Sequence, residues 1–110
     1  MHLVNHYRAH YGLGRLHNDA GVTKDAHRHS ARMARVKTLF HTSDLESVVG
    51  RRARAWGENV AKARGVYKVF KMWRRSAGHR ANMLNNRYKR CGVGLVRARG
   101  YFWATMIYYG

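Results

Sequence analysis

Tyr101-Phe102-Trp103-Ala104-Thr105-Met106-Ile107-Tyr108-Tyr109 is a run of aromatic, β-branched and other apolar side chains, apolar on both of its alternating faces. Such a run reads as a strand buried from both sides. Just ahead of it Cys91-Gly92-Val93-Gly94-Leu95-Val96 alternates and Arg97-Ala98-Arg99-Gly100 supplies a turn, so the end of the chain predicts a β-hairpin. Each face of the last strand needs a cover, and amphipathic helices upstream are the only material for it. The expected architecture is therefore α+β, a small antiparallel sheet with helices packed on both faces.

The helices are legible from their spacing. Leu3, Val4, Tyr7 and Tyr11 share one face, with Asn5 and Arg8 opposite, until Gly12 stops the pattern. After a turn over residues 12–18, Asp19 is placed to cap a second helix, in which Val22, Ala26, His29, Met33 and Val36 step by four, three, four and three. The cationic stripe opposite, Lys24, Arg28, Arg32, Arg35 and Lys37, reads as a solvated face. A polar loop over 38–50 and a basic run from Arg51 to Arg54 follow. Trp56 to Ala63 reads as an extended edge segment. Val66, Val69, Phe70 and Trp73 then mark a third helix over 66–75, broken at Gly78, and His79 to Leu84 adds a last helical turn or two.

At 110 residues the chain is expected to form one domain, 1–110, and its 45% hydrophobic content is enough to offset ordering entropy and rule out disorder. No segment approaches the ~18 uninterrupted apolar residues of a membrane-spanning helix. Charge is the outlier: 22 Lys and Arg against 5 Asp and Glu give +17. That predicts salt-dependent attraction to an anionic partner, whether nucleic acid, acidic polysaccharide, teichoic-acid-like polymer or anionic lipid. A single Cys91 excludes an internal disulfide and a Cys-rich zinc site, so a metal would rest on His, Asp or Glu. From Met1-His2-Leu3 the sequence enters an amphipathic pattern at once, without the apolar core of a secretory leader. The chain is then either intracellular or a piece of a longer exported protein.

Three segments set ligand-type side chains beside glycine or small polar residues: Phe40-His41-Thr42-Ser43, Gly57-Glu58-Asn59-Val60-Ala61, and the stretch from Trp73 through Ser76-Ala77-Gly78-His79-Arg80-Ala81-Asn82 to Leu84. With Leu3-Val4-Asn5-His6-Tyr7-Arg8 before them and Cys91-Gly92-Val93-Gly94 after, the chain resembles the CAP superfamily along essentially its whole length. More narrowly it is similar to the bacterial SCP-like branch, related to plant PR-1 proteins and cysteine-rich secretory proteins. The resemblance implies an α-β-α sandwich, in agreement with the layer argument. It also implies a cleft lined by two histidines, His41 and His79, and an acidic residue, Glu58, with an extracellular or cell-envelope setting and an export signal lying upstream. Many eukaryotic relatives carry a second cleft glutamate where this chain has Ser76. Proline is absent, and Gly14, Asp44, Ala77 and Asn86 stand where bacterial relatives often have it.

If His41, His79 and Glu58 meet, they make a candidate three-ligand site for a divalent metal, zinc first, with an open position. Glu58 is alternatively a general base for a bound water, or a buried carboxylate satisfied by hydrogen bonds. His29 lies on an apolar stripe and is expected in the core; the histidines at 2, 6, 10, 17 and 27 are expected at the surface. Cys91 is expected buried and inert, and Trp103, Tyr108 and Tyr109 belong to the core before any stacking role. Arg51, Arg52, Arg54, Lys68, Lys71, Arg74 and Arg75 are candidates for one anion-binding face. Three functional readings follow: a binding module for a cell-envelope polymer, lipid or glycan, a metal-dependent hydrolase, and a nonspecific nucleic-acid binder. The first is the leading expectation.

Overall fold

The computed structural model describes residues 1–50 and 53–110. Five helices and four strands follow in the order α1 (His2–His10), β1 (His17–Asn18), α2 (Ala20–Val36), α3 (Leu45–Val49), β2 (Trp56–Ala63), α4 (Val66–Arg75), α5 (Ala77–Met83), β3 (Arg90–Ala98) and β4 (Tyr101–Tyr109). The sheet order is β1-β3-β4-β2, which puts β2 at an edge and β4 inside. β4 pairs antiparallel with both neighbours, opposing Trp103 to Lys62 on β2 and to Val96 on β3.

β4 shows why the fold is layered. Its Ala104, Met106 and Tyr108 join one core with Val4 of α1, Val69, Phe70 and Trp73 of α4, and Met83 of α5. Trp103 and Ile107 face the other way, against Met33 and Ala34, and against Val22 and Ala26, all of α2. The period of two in the strand thus feeds two helical layers, and the sandwich expected from the sequence is the one formed.

α2 lies almost directly on the backbone of β3. A Cβ placed on Gly92 would collide with the Thr23 amide nitrogen, and one on Gly94 with the His27 amide nitrogen. Only residues without a side chain permit that approach. Ser30 Oγ secures it, donating to the Gly94 carbonyl at 2.9 Å and lying 2.7 Å from Thr105 Oγ1. Asp19 caps α2 by accepting the Val22 N–H at 3.0 Å, and Lys37 ends it in the left-handed conformation.

Arg8 overturns its assignment to the polar face of the first helix. It is 1% exposed and donates to four carbonyls: Gly14 at 2.8 Å, Met83 at 2.9 Å, Asn85 at 2.9 Å and Tyr88 at 3.3 Å. One guanidinium fork thereby ties α1 to the end of α5 and to the entry of β3. Burial lowers its pKa from the usual arginine value.

Other departures are local. The turn over 12–18 contains β1, whose two residues pair parallel with β3, so the sheet is not wholly antiparallel. The loop over 38–50 contains α3, capped by Asp44, whose side chain accepts from the Ser47 N–H. The break between the third and last helices falls at extended Ser76, and Gly78 sits inside α5. Val36 is exposed, because Ala34 takes the last inward position of α2, and Tyr11 lies past the end of α1 on the surface. Arg51 and Arg52 lie outside the described residues.

Gly94→Ala should test the close approach. With a Cβ forced against helix backbone that has no rotamer to yield, the variant should lose ~2–3 kcal/mol of stability, read from urea unfolding. An Ala at exposed Gly14, where no atom lies within 4 Å of a built Cβ, should be nearly neutral.

Candidate functional site

The site straddles edge strand β2. Glu58 points to the α2 side, where the loop leaving α2 brings His41 and Thr42 onto it. Its Oε1 accepts His41 Nδ1–H at 2.8 Å and the Thr42 amide at 2.9 Å, and its Oε2 accepts the Thr42 hydroxyl at 2.5 Å. The Glu58 side chain is 2% exposed and that of His41 63%. A sealed carboxylate therefore holds an open imidazole, leaving His41 Nε2 as the nitrogen free for a ligand.

His29 fixes the loop that delivers His41. Its Nε2–H donates to the Phe40 carbonyl at 2.6 Å, and Nδ1 lies 3.2 Å from a nitrogen of Arg32. The ring also packs edge-on against Phe40 at 4.9 Å. The buried histidine expected on α2 thus determines where the next residue, His41, stands.

On the other side of β2, Asn59 reaches into the core and organises α5. Its amide donates to the His79 carbonyl at 3.1 Å and to the Tyr108 hydroxyl at 3.0 Å. Asn82 donates to Asn59 Oδ1 at 2.9 Å and to the Glu58 carbonyl at 3.2 Å. Trp73 Nε1 takes the next outward carbonyl of the strand, Val60, at 3.1 Å. The free edge of β2 is in this way closed by side chains of α4 and α5 instead of by another strand. His79 is carried on this frame, half-buried. Desolvation first, and then the nearby charge of His41, lower its pKa from the usual imidazole value. The lowered pKa favours the neutral imidazole, which both donates and accepts.

His41 and Glu58 are in direct contact and His79 is close enough to His41 to feel its charge. As arranged they do not fit a three-ligand zinc centre. Among the described residues no three of His, Cys, Asp and Glu converge to hold an ion. The reason is that Glu58 is buried against His41 and Thr42, so turning its carboxylate outward to ligate would break bonds of a buried hydrogen-bond set. The same bonds, with 2% exposure of the Glu58 side chain, describe a positioning carboxylate and not a base open to water. Ser76 brings no second acid to the site; its carbonyl accepts the Arg80 amide at 2.8 Å.

Of the remaining assignments, Cys91 is buried and its thiol is pushed up to about 11 by desolvation, as an inert core cysteine should be. The histidines at 2, 6, 10, 17 and 27 are exposed. Trp103 and Tyr108 are core, while Tyr109 is half-buried with its hydroxyl bonded to Asp19. The expected basic face comes together in part: Lys68, Lys71 and Arg75 share one groove, but Arg54 sits before the start of β2, at the end of the strand far from it. Sequence reasoning left Thr42, Asn59 and Asn82 without roles. The available signal was asparagine within a strand-like segment, a residue depleted from strands unless its side chain has a partner.

The two-sided sandwich, with the bonded pair of His41 and Glu58 at its edge strand, has the form of a CAP-type domain. The family model for CAP, the cysteine-rich secretory protein family, matches residues 1–108, and the chain belongs to that family. It is 32% identical to the YkwD protein of Bacillus subtilis over 111 aligned residues, covering 94% of this chain and 43% of that one. The chain thus spans less than half the length of this relative. Among solved structures, an extracellular SCP-domain protein of Bacillus anthracis superposes with TM-score 0.84 at 25% identity, covering 97% of this chain and 37% of the other. An outer surface protein of Borrelia burgdorferi superposes with TM-score 0.88 over 98% of this chain and 86% of its own, and at 15% identity it shows the fold alone.

Two measurements check the site. In the unfolded chain His79 takes the ordinary value of 6.5, and in the folded protein it lies lower. Between the two values the unfolded state binds the extra proton, so this group's effect is a loss of stability as pH falls through that window and none above it. Urea unfolding of wild type and His79→Gln at several pH values between about 5 and 8 should show a shallower acid-side decline in the variant. Zinc calorimetry should give the same isotherm for wild type and Glu58→Gln; a saturable site lost only in the variant would show that the carboxylate turns outward to ligate.

Proposed function

We propose that this is an exported, noncatalytic binding domain whose cleft holds a polar group of a cell-envelope ligand while the basic surface supplies long-range attraction. The observation that carries the reading is the burial of Glu58: the carboxylate orients His41, is held by Thr42 through both oxygens, and at 2% exposure is shielded from the water that acid–base work would need. His41 Nε2 and neutral His79 then offer hydrogen bonding at the cleft to a glycan hydroxyl, amide or phosphate. The net charge of +17 favours an anionic envelope polymer and raises the encounter rate at low salt. An extracellular setting is supported by family membership and by the SCP-domain neighbour described as extracellular. Among the described residues no helix is long and apolar enough to cross a membrane.

A hydrolase would need Glu58 released from Thr42, and a divalent ion would have only His41 and His79 as protein ligands without it. Nucleic-acid binding through charge alone would ignore the cleft entirely.

Sedimentation with isolated Gram-positive cell walls tests the proposal. Wild type should be retained at low salt, and His41→Ala with His79→Ala should weaken retention about tenfold, the loss of one or two charge-assisted or buried hydrogen bonds. Undiminished retention by the cleft variant, or ester or peptide hydrolysis abolished by Glu58→Gln, would overturn it.

A further inference from the structure

Away from the cleft, the last residues of β2 and the outer face of α4 enclose an open groove of about 380 Å³. Lys62 and Arg64 line it from the strand, and Lys68, Lys71 and Arg75 from the helix, with Met72 as the main apolar contribution. No carboxylate lines it. Among the described residues the ion pairs are Arg28 with Asp25 and His41 with Glu58, so none of these five cations is neutralised within the protein. Gathering them costs self-repulsion that an anionic ligand would relieve.

The groove continues past its own walls. Lys62 also lines a second cavity of about 170 Å³, together with Lys37 and with Arg99 at the hairpin turn. Its Nζ lies 4.4 Å from the ring centre of Tyr101 and 5.0 Å from that of Trp103. Arg64 lies 4.7 Å from the Tyr101 ring centre and donates to its hydroxyl at 3.1 Å. Two cations are thus held in place by the aromatic end of the sheet, midway along a track that runs from α4 to the hairpin turn. On α4, residues 68, 71 and 75 follow the helical repeat and extend over about 10 Å.

We propose that this track binds a flexible polyol-phosphate polymer, with successive phosphates meeting the α4 cations, Lys62 and Arg64, and the hairpin turn. The proposal rests on the reading of the domain as an envelope-binding module and assigns the polymer to a surface distinct from the cleft. Length and continuity favour a chain of phosphates over a single phosphate. Single-stranded nucleic acid is disfavoured because the groove's lining holds no aromatic side chain for stacking, exposed Tyr67 of α4 lying outside it, while Tyr101 is covered by Lys62 and Arg64 and Trp103 is buried. A lipid is disfavoured because the groove has Met72 but no apolar trough for acyl chains.

The test is a salt series of binding constants for deacylated poly(glycerol phosphate), with charge-matched oligo-dT, phosphatidylglycerol vesicles and inorganic phosphate as comparison probes. The variant Lys68→Gln/Lys71→Gln/Arg75→Gln should bind the polymer at least tenfold more weakly, with a log–log salt slope smaller by about two, as expected for three lost phosphate contacts. Lys24→Gln/Arg28→Gln/Arg35→Gln on the exposed face of α2 removes the same charge and should change affinity less than about twofold. The charge-keeping Lys68→Arg/Lys71→Arg/Arg75→Lys should bind like wild type, and thermal melts should confirm that every variant is folded. Equal losses in both glutamine triples, equal or tighter binding of oligo-dT or vesicles, or inorganic phosphate competing at polymer-like concentrations would overturn the proposal. Polymer binding that survives the groove triple but is lost with His41→Ala/His79→Ala would end this inference and leave the envelope-binding reading standing. No retention by cell walls at all would remove both.

Discussion

The backbone of α2 rests on the backbone of β3, and most of the molecule follows from that contact. Gly92 and Gly94 leave no room for any side chain between helix and strand. With the helix seated so close, Ser30 can bond the Gly94 carbonyl and meet Thr105 on β4, which ties one helix to two strands. Beside Ser30 on the same helix, His29 holds Phe40, and Phe40 is followed by His41. The position of His41 is set by a path of adjacent contacts that begins at two glycines with no chemistry of their own.

Polar groups inside this fold are few and each is used. Arg8 donates to three carbonyls at the end of α5 and in the segment after it, and to that of Gly14 after α1, so one buried guanidinium joins two chain turns. Glu58 is closed off by Thr42 and His41, and Asn59 with Asn82 closes the edge of β2. A group buried with all its partners is rigid, and rigidity here fixes the His41 imidazole and the backbone of His79. The five carboxylates of the chain are largely spent on caps and on this site, so among the described residues the Lys and Arg side chains other than buried Arg8 have little to balance them. Structure is thereby separated from attraction: the acids position, and the bases reach outward.

The layer order was legible because period-two burial on β4 and period-3.6 burial on α2 and α4 are properties of one element at a time. The motif residues His41, Glu58 and His79 could be picked out for the same reason, as points along the chain. What escaped is instructive. Arg8 looked like a surface residue, since its partners at 83, 85 and 88 are remote in sequence. β1 looked like a turn, because two residues of parallel pairing carry no periodicity, and the short α3 was hidden in polar sequence. Gly78 looked like the break, yet the chain turns at Ser76 and tolerates the glycine inside α5.

By itself the sequence determined the secondary structure that rests on apolar repeats, the two-layer burial of the last strand and the excess of positive charge, and through its resemblance to a family it singled out His41, Glu58 and His79 as candidates. Only the tertiary structure decided which of those residues hold one another. Whether Glu58 is a ligand, a base or a support depends on where Thr42 places its hydroxyl, and whether Lys62 and Arg75 share a groove depends on how α4 lies along β2. Local repeats specify which face is apolar, but a hydrogen bond or a shared cavity is a relation between distant segments. It exists only once packing has fixed the distance between them.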